Sequence, residues 1–236
     1  MAFRPVEELT ILPRNLTPTV AILGGTGQQG SGLVQRFASA GISVIVGSRD
    51  ASRARLTVAG WTRSAGQAPI EVADNTAAVA RARVVVLAVP FATVDALLDE
   101  VRPHFTAGAL VIDVTVPVAF VAGRLTMIDV PEGSAGEHVR ARLPPAVRLA
   151  CAFKTLPAHL LGAGGVPLDC DEFVCGDSDE ARAEASALVA VLPGLRPVDV
   201  GPLSRARSIE HLTALAIAIN RRHKIHDARF RVVGLT

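Results

Sequence analysis

Apolar residues fall along this chain in short unbroken runs, and between the runs they recur at helical spacing. Val20-Ala-Ile-Leu23, Ile42-Ser-Val-Ile-Val46, Ile70-Glu-Val-Ala73, Val84-Val-Val-Leu-Ala-Val89 and Leu110-Val-Ile-Asp-Val114 have the nearly continuous apolar character of strands in a parallel sheet covered on both faces. Leu33, Val34, Phe37 and Ala38 repeat as one helix face until Gly41, a fitting C-terminal cap. An Ala-rich helix starts at Thr76, and another runs through Leu97, Leu98 and Val101. This alternation predicts an α/β fold of the Rossmann type, a doubly wound and mostly parallel sheet with right-handed crossovers.

From Val118 the pattern loosens, with Gly123, Pro131, Gly133 and Gly136 marking turns ahead of a short helix that reaches Leu143. Val147 to Phe153 reads as another buried strand, and Lys154-Thr-Leu-Pro157 leaves its carboxyl end. Glu172 to Cys175 and Arg196 to Val200 read as strands around a helix from Ser178 to Leu192. A long helix after Pro202 places Ile209, Leu212, Ala216 and Ile219 on one face. The expected division is an N-terminal extension over 1–18, a nucleotide-binding domain over 19–153 and a smaller C-terminal α/β domain over 154–236.

The first strand runs straight into Gly24-Gly-Thr-Gly-Gln-Gln-Gly30, which contains G-x-G-x-x-G at Gly25, Gly27 and Gly30. In that motif the first glycine permits the tight turn, the second lets a pyrophosphate approach the backbone, and the third lets helix and strand pack closely. Free N–H groups at the helix start, around Thr26, Gln28 and Gln29, would bind phosphate. The second strand delivers Gly47-Ser48-Arg49, with Arg53 following, where an NAD site would place an acid for the ribose hydroxyls. Ser48, Arg49 and Arg53 can instead surround a 2′-phosphate, which favours NADP. Asp50 would be repelled by that phosphate and is expected to turn away and cap the next helix. Arg55 reads as a solvated position. Pro90 and Phe91, and Val116 after the fifth strand, should flank the nicotinamide, although a Phe is as often plain core.

Composition removes other classes. Half of the 236 residues are hydrophobic, so the chain can bury a sizeable core. A net charge of +2, eight Phe, one Trp and no Tyr give neither a field nor a stacking platform for nucleic acid. Cys151, Cys170 and Cys175 lack the spacing of a disulfide framework or a metal site and fit a reducing cytoplasm. The N-terminal stretch has no apolar core of the secretory kind, and no apolar run approaches the ~20 residues of a membrane span.

The blocks VAILGGTGQQGSG, VIVGSRD, CAFKTLPA, EFVCGDSDE and LPGLRPVDVGPLSRARSIEHLTAL, in this order, resemble the NADP-dependent reductases of the deazaflavin coenzyme F-420 across nearly all of Thr19 to Leu215. The resemblance implies a dimeric two-domain protein that moves a hydride between NADPH and the deazaflavin, with the C-terminal domain completing the deazaflavin site. It assigns Thr26, Ser48, Arg49 and Arg53 to the 2′-phosphate, Ala158 to NADP, and Arg207 and Thr213 to the deazaflavin. Lys154 stands where some members have His, and His211 where some have Ser. Both departures touch the deazaflavin side.

The residues offer no convincing nucleophile with its base and no paired acid and base. Hydride exchange between two rings needs neither, because the cofactors carry the chemistry. Reduction places negative charge on the deazaflavin, which Lys154 or Arg207 would stabilise. Lys154 leaves its strand on the ligand side and is expected to face the acceptor ring, a salt bridge to an acid such as Asp177 being the competing placement. Arg207 and His211 share a helix face, whereas Thr213 lies roughly 120° away, so all three reach one ring only if the ligand wraps or the helix bends. His211 on a helix also reads as a plain packing or surface residue. Arg221, Arg222, His223 and Lys224 read as a solvated helix end. Two other functions fit the same residues: reduction of a small carbonyl or imine with Lys154 as proton donor, and a non-catalytic NADP sensor.

Overall fold

The computed structural model describes residues 18–61, 66–121, 124–162 and 165–235. The expected extension over 1–18 lies, apart from its last residue, outside the described residues. Strands run in chain order as β1 (Val20–Leu23), β2 (Val44–Ser48), β3 (Ile70–Asp74), β4 (Val84–Leu87), β5 (Leu110–Asp113), β6 (Val118–Val121), β7 (Arg124–Met127), β8 (Arg148–Cys151), β9 (Cys170–Gly176) and β10 (Leu195–Pro202). The helices are α1 (Gln28–Ser39), α2 (Ala51–Ala59), α3 (Asn75–Arg81), α4 (Val94–Val101), α5 (Ala135–Arg142), α6 (Ala158–Gly162), α7 (Asp179–Ala190) and α8 (Ala206–His223).

Eight strands form one sheet in the order β10-β9-β8-β5-β4-β1-β2-β3. Every neighbouring pair is parallel except β8 and β9. The apolar runs suit it because side chains alternate between faces, each face covered by helices. Val20, Ile22, Val84, Val86, Leu110 and Ile112 bury against Leu33, Val34 and Phe37 of α1 and Leu188 and Val189 of α7. Ala21, Leu23, Val85, Leu87 and Val111 bury on the other side against Val79 of α3, Leu97 and Leu98 of α4 and Val139 of α5. The chain goes from β1 outward to β2 and β3, then returns to lay β4 and β5 on the other side of β1. That reversal opens a crevice at the strands' carboxyl ends, where open α/β sheets bind ligands.

The stretch after residue 153, expected as a smaller domain, sends β9 and β10 into this same sheet through the register Ala150↔Gly176 and Cys151↔Cys175. Two elements were not anticipated. β6 and β7 form an antiparallel hairpin where only turns were expected, its four-residue strands being too short to show a period. The five residues of α6 are a helix because α1 holds them: the Arg36 guanidinium donates to the Leu160 carbonyl at 2.6 Å and the Leu161 carbonyl at 2.9 Å. Asp50 caps α2 as expected, its carboxylate accepting from the Arg53 amide at 2.9 Å.

The left-handed residue of the glycine turn is Gly24, at φ 80°, one position before the glycine to which the motif assigns the tight turn. A Cβ on Gly30 would stand 2.3 Å from the Gly24 carbonyl oxygen, so close packing at the third glycine is as the motif requires. Gly30→Ala should therefore cost ~1–3 kcal/mol of stability, the size of an overpacked core site, read as a lower urea midpoint at an unchanged slope. An unchanged midpoint would mean that the turn relaxes freely.

Candidate functional site

Two clefts lie along the carboxyl ends of the strands. The smaller, of about 470 Å³, is lined by Thr26, Ser48, Arg49, Asp50, Arg53 and Thr57, which brings together all four residues expected at a 2′-phosphate. Thr57, one turn along α2 from Arg53, belongs to it too and was not foreseen. The larger cleft, of about 910 Å³, starts at Gly27, Gln28 and Gln29 and passes the strand ends at Val89, Pro90, Phe91, Thr115 and Val116. It continues along Lys154, Thr155, Leu156 and Ala158 to Thr213, Ala216 and Asn220 of α8. Of the foreseen positions, Gly25 and Gly30 line neither cleft and act inside the turn.

Gly27 has open space above it, since a Cβ there would meet only the Gly24 oxygen, at 3.2 Å. A pyrophosphate can approach the backbone at that point, so the residues present fit a dinucleotide. Gln29 spends its side chain within the protein, its amide donating to the Phe153 carbonyl at 2.5 Å. Phe91 is half-buried at the mouth of the large cleft with its ring 5.1 Å from that of His138. His138 lies between Glu132 at 3.0 Å and Asp95 at 2.7 Å. His138, followed by Arg142, holds the Glu132 carboxyl down at about 2.

The far wall is a strained turn. Phe153 is fully buried at φ 60°, a conformation that costs a bulky side chain ~1–3 kcal/mol. Its ring meets Phe37 edge-on at 5.8 Å, and Gln29 holds its carbonyl. Glu172, on β9 and without solvent exposure, accepts the Lys154 amide at 3.0 Å and the Thr155 hydroxyl at 2.8 Å. Burial pushes its carboxyl up to about 7, against the hydrogen bonds from Thr155 and the turn's amides.

Lys154 does not offer its ammonium to the cleft. Nζ donates to Asp113 Oδ2 at 2.6 Å, to Glu210 Oε1 at 3.1 Å and to the Thr115 carbonyl, and these side chains are buried. This corrects the expected placement facing the acceptor ring. The alternative partner Asp177 is taken by Arg140 at 2.9 Å and the Leu149 amide. Burial alone would lower the ammonium's pKa, but the charges beside it, Asp113 foremost, turn the net shift upward. Glu210 also reaches α5, accepting from the Ala135 amide at 3.1 Å and the Gly136 amide at 3.2 Å. Asp113 and Glu210 were missed, although a carboxylate closing the apolar run Leu110-Val-Ile-Asp113 was the available signal.

The helix geometry splits the residues expected at the deazaflavin. Thr213 faces the large cleft and donates to the Lys154 carbonyl at 2.9 Å. Arg207 and His211 are exposed and line a separate cleft of about 140 Å³ with Asp129, Val130 and Glu210. Among the described residues Arg207 makes no ion pair. The described residues contain no cluster of metal ligands, and Cys151, Cys170 and Cys175 are free and buried.

Residues 19–117 match the family model described as "NADP oxidoreductase coenzyme F420-dependent". The "F420-dependent NADP reductase" of Methanothermobacter thermautotrophicus is 38% identical over 92% of this chain and 95% of its own length. That of Methanocaldococcus jannaschii is 31% identical over 92% of this chain and 98% of its own. A crystal structure from Arthrobacter sp. FB24, described provisionally as an F420-dependent NADP reductase, superposes with a TM-score of 0.76 at 25% identity, covering 91% of this chain and 98% of the other. An imine reductase from Bacillus cereus, at 18% identity and a TM-score of 0.59 over 87% of this chain and 63% of that one, shares the fold.

Two outcomes follow from the buried groups. Lys154→Met leaves two carboxylates without their cation and should cost ~3–5 kcal/mol, read by urea unfolding; a loss under 1 kcal/mol would mean that the cage is not closed to water. The second concerns Glu172, whose pKa rises from 4.5 to about 7 in the fold, so the folded state binds the extra proton between those values. The stability it contributes is full below pH 4.5 and is lost as pH rises through 7. Glu172→Gln should flatten the fall in stability from pH 5 to 8; an equal fall in both proteins would remove Glu172 as its source.

Proposed function

The chain belongs to the family of F420-dependent NADP reductases, and we infer that it is an oxidoreductase moving a hydride between NADPH and the deazaflavin coenzyme F-420 (F420) across the large cleft. The observation that carries this reading is the pairing of an Arg-lined phosphate cleft with a larger, chiefly apolar one along the same strand ends. When bound, the two cofactors supply the chemistry: the hydride leaves the dihydronicotinamide C4 with its electron pair and bonds to the deazaflavin C5, and a solvent proton balances the reduced product. The protein's part is to hold two rings face to face at ~3–3.5 Å and keep water out.

In this reading Ser48, Arg49, Arg53 and Thr26 hold the 2′-phosphate, and Gly27, Gln28 and the start of α1 receive the pyrophosphate. Pro90, Phe91 and Val116 flank the nicotinamide, with Ala158 also against NADP. Thr213 borders the deazaflavin ring. With Lys154 held in its cage, Arg207 and its neighbour His211, which line the separate cleft, meet the negative charge of the reduced deazaflavin only where that ligand wraps around α8. A carbonyl or imine reductase using Lys154 as proton donor finds no support, because all three ammonium protons are engaged by Asp113, Glu210 and the Thr115 carbonyl. An NADP sensor would need the nicotinamide end of the large cleft but not its continuation to Thr213 and α8.

The protein works in this account as a cytoplasmic homodimer with the C-terminal segment at the interface. Three free cysteines support a reducing compartment. The described helices include none long and apolar enough to cross a membrane. Exposed Phe120 and Val121 on β6 and Leu215 on α8 supply an apolar surface for a second copy.

Mixing NADPH, protein and oxidised F-420 should bleach the deazaflavin absorbance, and no bleaching with turnover of an imine instead would overturn the reading. Arg49→Ala should weaken NADPH by ~1.5–3 kcal/mol for each charge-assisted hydrogen bond lost and leave NADH nearly unchanged. Equal losses for both would remove Arg49 from the phosphate site.

A further inference from the structure

The Asp113–Lys154–Glu210 cluster carries more negative charge than its lysine can cancel. Asp113 accepts from the Thr115 amide at 2.9 Å and the Thr115 hydroxyl at 2.7 Å through Oδ1, and from Lys154 through Oδ2. The Cys151 thiol faces Oδ2 at 3.9 Å. Glu210 accepts from Lys154 and the Gly136 amide through Oε1 and from the Ala135 amide through Oε2. Every partner of Glu210 is an N–H, whereas Asp113 meets the Lys154 ammonium through Oδ2 and, through Oδ1, an amide and a hydroxyl that can donate or accept. Burial raises the Glu210 carboxyl, against the pull of Lys154 and the Ala135 amide; with both carboxyls ionised around one ammonium, the buried sum is one negative charge. The N-terminus of α5 offsets about half of it. Arg207 lies in solvent on the far side of Glu210.

Such a residue of charge is expensive, and packing does not explain it, since well-packed apolar side chains in place of a buried ionic cluster are often neutral or stabilising. Its position gives it a use. The Thr115 carbonyl is a ligand of the Lys154 ammonium, and Thr115 lines the large cleft between Val114 and Val116, after β5, two strands from β1 and its glycine turn. In a sheet of this topology the nicotinamide half of the dinucleotide lies across those strand ends. The nicotinamide ring is neutral in NADPH and cationic in NADP+.

We propose that the Asp113–Lys154–Glu210 cluster is a buried counter-charge for the oxidised nicotinamide, favouring NADP+ over NADPH in the cleft. It assists departure of the hydride because positive charge grows on the ring as the hydride leaves, and a fixed negative charge out of contact with water stabilises that change without reorganising. Lys154 thus holds the two carboxylates in place and leaves one unit of their charge uncancelled. The proposal rests on the reading of NADP(H) as the dinucleotide and is independent of which acceptor takes the hydride.

Calorimetric titration of the whole protein with NADP+, NADPH and 2′-phospho-ADP-ribose, which lacks the nicotinamide, tests it. Glu210→Gln and Asp113→Asn each bring the cluster to neutrality by separate routes, and because each turns one amide NH2 toward a donor, urea unfolding first establishes that the variant is folded. In each, NADP+ should weaken relative to NADPH by roughly tenfold, the order expected of one unit charge acting at an effective dielectric near 20. The affinity for 2′-phospho-ADP-ribose should stay put, which a general loosening of the fold would not allow. A ratio unchanged within about twofold in a folded variant overturns the proposal, as does a variant that tightens reduced F-420 while leaving the ratio alone, since that would set the acceptor ring over the cluster. Failure of the unmodified protein to bind either dinucleotide would instead overturn the functional reading itself.

Discussion

Water has no access to the point where β5, β8 and α8 converge, and three charged side chains meet there. Asp113 closes an apolar strand, Lys154 begins the turn after β8, and Glu210 lies on the inner face of α8 while its carboxylate caps α5. Removal of Lys154 strands both carboxylates without solvent, and each carboxylate ties a further element to that lysine, so the four elements are bound to a single geometry. That geometry sets the large cleft: the Thr115 and Lys154 carbonyls, held by the Lys154 ammonium and the Thr213 hydroxyl, fix the floor and the facing wall.

The opposite end of the cleft is set by different means. The left-handed Gly24 and the close approach of Gly30 to it bring the start of α1 against β1. Gln29 then bridges from that helix to the strained turn at Phe153, which Glu172 holds from below through its amides. The glycine turn and the far wall of the large cleft are in this way one hydrogen-bonded unit. A reaction that needs two rings aligned within a few tenths of an ångström gains most from such coupling.

Much of this was legible in the chain. Parallel strands buried on both faces must be apolar throughout, so β1, β4 and β5 announce themselves, and a Ser-Arg pair after β2 in place of an acid has a direct electrostatic meaning. The long helix α8 could be drawn on a wheel, and the division that placed Arg207 and His211 apart from Thr213 is the one the structure has. What stayed hidden depends on tertiary partners. The helix α6 exists because Arg36 reaches its carbonyls, and the β6–β7 hairpin is too short for a period. Lys154 was located correctly at a carboxyl end, but strand position does not say where an ammonium points. Its direction came from Asp113 and Glu210, which lie 41 and 56 residues away in sequence.

In the proposed reaction the two cofactors meet ring to ring in the large cleft and pass a hydride directly. A single turnover with NADPH carrying deuterium at one face of C4, in ordinary water, decides it. Direct transfer predicts that one of the two C4-deuterated epimers delivers its label quantitatively to C5 of the reduced deazaflavin and the other delivers none. Label appearing in water, or scrambled between the two epimers, would contradict a shared cleft and a direct hydride.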